Sequence, residues 1–545
     1  MARVVLISRS DHALALAPAL LPVLRRLKTT NQYDLVDPQA FASAETLEAN
    51  ATHVYLPSFA DRHGMTPDLS EAERVLAQCA RHRAGKIVLL SSALVYGTGP
   101  GRKTLVPEGY GVRTGGNRVA SQWKALEDIA RRYLQGHIPL VILRPTTVVP
   151  SQSVLGRRLV ARATLTLAGC DPVVQLLSVS DLAEAICCAV ENNVNGAFNV
   201  APDGVVPLRA AICLAGGRRI GFPRTLQRLA VPADALEYLR YSWTVSNTKI
   251  KQDLGFLPRK SSLATLRELR SPSSTLEPTP EPAFDEFGMD NDYINSFSRT
   301  LFKFLCDHYW RIEVKGLDHV PAQGRAVLVG THRGFMPWDG VMAVHLVAQK
   351  TERYIRFLAH PGLFKFPFIA DFVAKLGAVP ACQESADRVL ESDGLLGVFP
   401  EGVAGAFAVC RNAYKLRRFG RDAFVKTALR HRTPIIPFVT MGSAETFPIF
   451  ATIKSRRWTR YSDWPCIPIS TFPLLPVPLP AKWHMRFLSP IHVEKQYPPE
   501  ADQDAAVVKA ISLEVSTQMQ RALDEMAGRR RSIFFGSVFG DEAGS

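Results

Sequence analysis

The chain contains no run of about 18 consecutive apolar residues, the length a helix needs to cross a bilayer core, so membrane contact is expected to be peripheral. A secretory leader is not expected either. In MARVVLISRSDHALALAPAL the apolar run is interrupted by Arg9, Asp11 and His12, and the segment reads better as a first strand. The nine cysteines are odd in number and never spaced C-x-x-C, which argues against a disulfide framework or a zinc ribbon. No metal site is expected, and the thiols fit a reduced, cytoplasmic protein. Zinc-finger spacing, a basic heptad region and an aromatic ribonucleoprotein motif are also missing, so nucleic acid is not an expected partner.

What is present is ordinary globular composition, 47% hydrophobic and 21% charged, in 545 residues. That length exceeds one hydrophobic core, and two large units are expected. A formal charge of +15 favours polyanionic partners such as an anionic membrane surface or phosphorylated substrates.

In the first half, RVVLIS, ATHVYLP, KIVLLSS and PLVILRP alternate with the helical stretches LSEAERVLAQCARHR and SQWKALEDIARRYL. Such alternation implies a parallel sheet covered by helices on both faces. SPSSTLEPTPEPAFDEFG, 271 to 288, is too rich in Pro, Ser, Thr and acidic residues to fold alone. The expected layout is a domain over 1–270, a linker over 271–290 and a second domain over 291–545. After the linker, Tyr293, Phe297, Leu301, Phe304 and Leu305 recur at helical spacing; core packing is the expectation and a membrane-lying face the alternative. A second strand and helix series follows through RAVLVGTHRG, GLLGVFPEG and TPIIPFVTMG. The fold class is therefore α/β: a Rossmann-like doubly wound unit followed by a second α/β unit.

VVLLSSALVYG, the helix carrying Lys124, VILRPTTVV and VVQLLSVSDLAEAI together resemble the extended short-chain dehydrogenase/reductase family, nucleotide-sugar epimerases included, over roughly 1–270. In that family a glycine-rich turn lets the backbone approach the dinucleotide pyrophosphate. Here the turn is ISRSDHALA, without glycine, and Arg9 and His12 bring bulk instead. Ser92 and Lys124 match the family's catalytic serine and lysine, but Ala120 stands where its tyrosine belongs, so no phenol is available to exchange a proton. Tyr96 and Tyr110 are the substitutes nearest in sequence. Binding of NAD(P) is therefore doubtful, and a degenerate binding or scaffolding domain is expected.

THRGFMPWDG, HPGLFKFPFIADFVAKLGAVP, GVFPEG, YKLRRFGRDAFVKTAL and TPIIPFVTMGSAE, in this order, resemble the glycerolipid acyltransferase family, lysophosphatidic acid acyltransferases included, over roughly 290–530. Family members transfer an acyl group from acyl-CoA or acyl carrier protein to a glycerol hydroxyl without a cofactor. A hydroxyl is a weak nucleophile near neutral pH and needs a base to take its proton. The resemblance gives that role to His332, with Asp339 holding the imidazole. The common family spacing is H-x(4)-D, whereas this chain has H-x(6)-D with Pro337 where the aspartate usually stands. Pro337 suits a helix start, so Asp339 is expected in a first helical turn, where the helix dipole favours its charge.

Glu401 and Gly402 inherit a role in holding the acceptor's glycerol phosphate. Arg411, Lys415, Arg417 and Arg418 suit either that phosphate or the phosphates of CoA. Many phosphatidic-acid-forming members carry an arginine soon after GAVP, where this chain reads ACQESADRV and Arg388 comes late. TPIIPF reads as a packed strand forming the acyl-chain wall, with Pro437 structural.

A lysolipid acceptor lies in a bilayer, so the enzyme is expected on the inner face of the membrane. IKSRRWTRYSDWPCIPISTFPLLPVPLPAKW interleaves cations with Trp458, Tyr461, Trp464 and Trp483, and RRRSIFFGSVF at 529–539 repeats the combination. The leading expectation is an O-acyltransferase of phospholipid biosynthesis. The alternative is a nucleotide or sugar-nucleotide binding protein acting through the first domain.

Overall fold

The computed structural model describes residues 3–539 except 10–15, 28–30, 45–50, 62–63, 100–104, 112–116, 135, 150–160, 162, 168–169, 216–217, 223–236, 271–284, 286, 335, 361–362, 364–366, 420–421, 457, 460–463, 465 and 472–476. The chain divides into two compact units, Met1–Gly288 and Met289–Ser545. Most of the expected linker lies outside the described residues. At its end Phe287 is buried, and the Asp290 carboxylate caps the helix Asn291–Phe297 by accepting the Tyr293 N–H at 2.9 Å.

The first unit is built on six strands: β1 (Arg3–Ile7), β2 (Gln32–Val36), β3 (Thr52–Tyr55), β4 (Lys86–Leu90), β5 (Leu140–Pro145) and β6 (Gly196–Val200). They lie in the order β2-β1-β3-β4-β5-β6, and every pairing is parallel. β4 and β5 are buried along their whole length, which is why KIVLL and LVILRP are mostly apolar rather than alternating. The helices Leu69–Arg81 and Arg118–Leu134 coincide with the two helical stretches of the sequence, and Val75, Leu76, Trp123 and Leu126 turn inward from them. The strand order reverses between β1 and β3, the switch point at which open α/β sheets usually bind ligands.

The second unit carries seven strands: β7 (Glu313–Lys315), β8 (Ala326–Gly330), β9 (Ile355–Ala359), β10 (Val379–Pro380), β11 (Leu395–Val398), β12 (Ile435–Met441) and β13 (His484–Phe487). Their order is β7-β13-β12-β8-β11-β9-β10, parallel except for β12 against β13. β8, β11 and β12 are buried throughout. The 25-residue helix Ala505–Arg529, capped by Asp504, packs on this core through Val508, Ile511, Val515, Met519 and Leu523.

Two sequence expectations need correction. The stretch after the linker is an α-helix only to Phe297; wider π-type turns follow over Ser298–Phe302 and Leu305–Tyr309. Those turns change the angular step, so the buried positions are Ile294, Phe302, Leu305 and Cys306, while Leu301 and Phe304 point outward. Of the aromatics assigned to a headgroup zone, Trp464 and Trp483 are interior. Trp483 stacks on Trp310 at 4.4 Å, which gives the indole a dry partner. Tyr461 lies outside the described residues.

Candidate functional site

β8 lies between β11 and β12, with Val329 opposite both Val398 and Pro437. The loops leaving the C-terminal ends of β8 and β11 therefore begin side by side, and His332 and Glu401 come together although 69 positions separate them in sequence. Gly330 permits this closeness. A Cβ there would fall 2.2 Å from the Phe438 ring and 2.8 Å from that of Phe399. Thr331 fixes the start of the loop by accepting the Thr440 N–H at 2.9 Å. Gly334, at φ +85°, then turns the chain beside the Ser443 carbonyl. Pro337 precedes the helix Trp338–Thr351 and places Asp339 in its first turn, as expected of a proline at a helix start.

Nδ1 of His332 lies 3.3 Å from Oδ1 of Asp339, within ion-pair distance but without a formed hydrogen bond. Both atoms are buried, and neither has another hydrogen-bond partner. The second carboxylate oxygen accepts the Arg333 backbone N–H at 2.7 Å, which pins one side of Asp339 and turns the other to the imidazole. The ring lies over Phe399 at 4.9 Å, and Phe399 is stacked on Phe357 at 4.8 Å. The His332 side chain keeps 14% exposure while Asp339 has none. A neutral ring that carries its proton on Nδ1 toward the carboxylate leaves the Nε2 lone pair available as a base.

Arg333, which the sequence analysis did not single out, organises the rest. Its guanidinium is buried and forms a fork to Glu401, Nη1 to Oε2 at 2.6 Å and Nη2 to Oε1 at 3.1 Å. It also donates to the carbonyls of Ala413 at 2.6 Å, His332 at 2.9 Å and Lys415 at 3.3 Å. Glu401, expected to hold the acceptor, thus has its carboxylate taken up by Arg333 and by the Arg417 backbone N–H at 2.6 Å. No signal in the sequence pairs them: only with Val329 beside Val398 do a cation three residues past β8 and a carboxylate three residues past β11 fall at one level. Gly402 takes φ +56° at the turn into the short helix Gly402–Ala406. A Cβ on Gly405 would sit 2.7 Å from the Glu401 Cβ and 3.0 Å from Arg333 Nη1.

Arg333 and Glu401 also hold the backbone of the basic loop, which is fixed from its other side by Gln520. That amide accepts the Leu416 N–H at 2.8 Å and donates to the Tyr414 carbonyl at 3.1 Å. The side chains of Arg411, Lys415, Arg417 and Arg418 are exposed, and among the described residues none is paired with a carboxylate. Arg388 is carried by the helix Gln383–Glu391.

In the first unit the corresponding sheet end is closed. Arg144, on β5, forms a buried fork to Glu127, at 2.8 and 2.7 Å. It also donates to the Tyr96 hydroxyl at 2.6 Å, and that hydroxyl donates to Asn199 Oδ1 at 2.9 Å. Ser91 completes the cluster by donating to Glu127 at 2.8 Å. Burial alone raises the Glu127 carboxyl, but its bonds to Arg144 outweigh that and hold it below the usual carboxylate range. Tyr96 is pushed up to about 12, mainly by burial. Ser92 spends its hydroxyl capping the turn Ala93–Tyr96, and Lys124 pairs with Asp128 on the helix surface. At the switch point Arg9 pairs with the buried Glu71 at 3.2 Å, and Glu71 also accepts from the Tyr55 hydroxyl. His12 lies outside the described residues.

Comparison with known proteins fits this division. The family model described as Acyltransferase matches residues 311–441, a span that contains the His332, Asp339 and Glu401 site and the basic loop. An uncharacterised protein of Mycobacterium tuberculosis is 36% identical over 268 residues, covering 47% of this chain and 73% of that protein. The bovine "DGAT1/2-independent enzyme synthesizing storage lipids" is 27% identical over 146 residues, 27% of this chain and 43% of its own. Mouse acyl-CoA wax alcohol acyltransferase 1 is 33% identical over 86 residues, 15% of this chain and 26% of its own. Among solved structures, the human epimerase family protein SDR39U1 with NADPH covers 49% of this chain and 99% of its own, at 14% identity and a TM-score of 0.41. UDP-galactose 4-epimerase covers 49% and 97%, at 16% identity and 0.39. At such scores the fold of the first unit rests on its own parallel strand order. Through its second unit, with a Rossmann-like unit fused before it, the chain belongs to the acyltransferase family.

Proposed function

We propose that the protein is an O-acyltransferase that moves an acyl group from a thioester, acyl-CoA or acyl carrier protein, to the hydroxyl of a lysophospholipid or glycerol phosphate type acceptor. The observation that carries this reading is the 3.3 Å approach of His332 Nδ1 to a buried, otherwise unpartnered Asp339 oxygen, beside a ring edge open to solvent. Nε2 takes the acceptor's hydroxyl proton as its oxygen bonds to the thioester carbon. Collapse of the tetrahedral intermediate breaks the C–S bond, and the imidazolium returns the proton to the departing thiolate. Asp339 stabilises the imidazolium without taking up the proton itself. No cofactor is needed for these steps.

The unpaired cations of the basic loop support an acceptor or donor that carries phosphate. In this reading Glu401 acts on that phosphate indirectly, by fixing the loop's backbone. A neutral long-chain alcohol is the second acceptor class, supported by the likeness to a wax alcohol acyltransferase. The alternative function, a nucleotide or sugar-nucleotide binder in the first unit, has less support. Arg9 with Glu71, and Tyr96 with Arg144, occupy the groups such a ligand would use, and we assign that unit a scaffolding role. Incubation of purified protein with acyl-CoA and a panel of lysolipids, glycerol phosphate and long-chain alcohols, followed by free-thiol release, tests the reading. Thiol release that requires a phosphate-bearing acceptor supports it; turnover of NAD(P)(H) with no acyl transfer favours the alternative.

A further inference from the structure

A two-stranded antiparallel ribbon, Ile449–Ile453 with Ile467–Ser470, stands next to the site. Both of its ends reach the unit's interior. Ile449, Trp464 and Cys466 form one apolar cluster with Phe407 and Val403, residues of and just after the helix that starts at Gly402. Phe407 meets Trp464 edge-on at 5.6 Å. Cys466 feels the charges of both Arg417, in the basic loop, and Lys454, at the end of the first ribbon strand.

Elsewhere the ribbon exposes what a soluble surface normally covers. Phe450 is 57% exposed, Ile453 52% and Ile469 43%. Ala451 lies opposite Ile469 and Ile453 opposite Ile467, so these apolar residues share one face, while Phe450 sits at the register shift. Exposed Lys454 and Arg456 follow directly, and among the described residues no carboxylate pairs with either. Exposed apolar side chains along a ribbon, with unneutralised cations next to them, match the layered chemistry of an anionic bilayer, acyl chains beneath phosphate headgroups. Among the described residues no helix is long and apolar enough to span a membrane.

We propose that this ribbon is the surface by which the protein docks on an anionic lipid bilayer, inserting Phe450, Ile453 and Ile469 while Lys454 and Arg456 meet the headgroups. Docked in this way, the protein presents the acyltransferase site to an acceptor that never leaves the lipid. The inference rests on the function proposed above only for the identity of that acceptor.

The test is vesicle co-sedimentation of the full chain with phosphatidylcholine vesicles, with and without phosphatidylglycerol, alongside thiol release with a water-soluble short-chain lysolipid. Phe450→Ser/Ile453→Ser/Ile469→Ser and Lys454→Glu/Arg456→Glu are each expected to weaken binding to the anionic vesicles by about tenfold or more. Turnover of the soluble substrate should be unchanged in both. Phe534→Ser/Phe535→Ser alters a separate pair of exposed aromatics, at the C-terminal tail, and is expected to bind as the wild type does. Equal binding of the ribbon variants and the wild type, or loss confined to the tail variant, overturns the proposal, as does capture of the wild type only by an acidic protein surface and not by vesicles. Vesicle binding without any acyl transfer would leave the docking surface standing and defeat the proposed function instead.

Discussion

Each unit buries an arginine–glutamate fork, one between a strand and a helix and one between two loops, and the two serve opposite ends. In the first, Arg144 and Glu127 close the C-terminal end of the sheet, and with Tyr96, Asn199 and Ser91 they satisfy one another. In the second, Arg333 and Glu401 form an equally buried fork, but they spend their remaining bonds on backbone. That leaves the His332 ring edge and four cations turned outward. The polar groups at the second unit's sheet end are thus not all consumed internally. The open end in this chain belongs to the acyltransferase unit.

The largest effect expected from breaking this comparison is on stability. Arg144→Met leaves Glu127 buried without its partner, and Arg333→Met does the same to Glu401; each is expected to cost its own unit about 3–5 kcal/mol. Denaturant unfolding followed separately for the two units checks this. Adding Glu127→Leu to Arg144→Met should restore much of the loss, because an apolar pair carries no stranded charge. Arg333→Met should also abolish acyl transfer, since the loop and Glu401 lose their common anchor.

Next in size is Asp339→Asn. With the carboxylate gone, the Nδ1 proton of the imidazole loses its acceptor, and acyl transfer is expected to fall about 10²-fold or more while the fold persists. Steady-state rates with circular dichroism on the same sample measure both. A smaller effect attaches to the exposed cations: Arg411→Ala/Lys415→Ala/Arg417→Ala/Arg418→Ala should raise KM for a phosphate-bearing acceptor about tenfold, roughly 1.4 kcal/mol, and leave KM for a long-chain alcohol little changed.

A pH-dependent effect on stability comes from His484, whose burial lowers it to about 4 from an ordinary 6.5. The fold therefore favours the neutral imidazole. Its contribution is fully present above pH 6.5 and is lost as pH falls toward 4, because the unfolded chain then binds a proton the folded one refuses. His484→Gln should flatten the stability profile of the second unit between pH 6.5 and 4, which thermal melts across that range would register.

Much of this was legible in the sequence, for physical reasons. Strands buried on both faces, such as Lys86–Leu90 and Ile435–Met441, are written as mostly apolar stretches without alternation. Pro337 announced the helix that carries Asp339. Short or edge strands such as Gln32–Val36, Glu313–Lys315 and Val379–Pro380 carry no such run and were not foreseen. The Arg333 and Glu401 fork depends on strand neighbours far apart in the chain, and its partners emerge only when β8 and β11 are laid side by side. The residues over Ser298–Tyr309 kept a helical apolar pattern, but their wider turns shifted which of them face the core.

The central claim concerns a single nitrogen. Acyl transfer by purified, folded His332→Ala, measured as thiol release against wild type under identical acyl-CoA and acceptor concentrations, tests it most directly. Loss of a positioned general base predicts a fall of about 10²–10⁴-fold with an unchanged unfolding midpoint. A variant that folds and turns over at the wild-type rate would contradict the account.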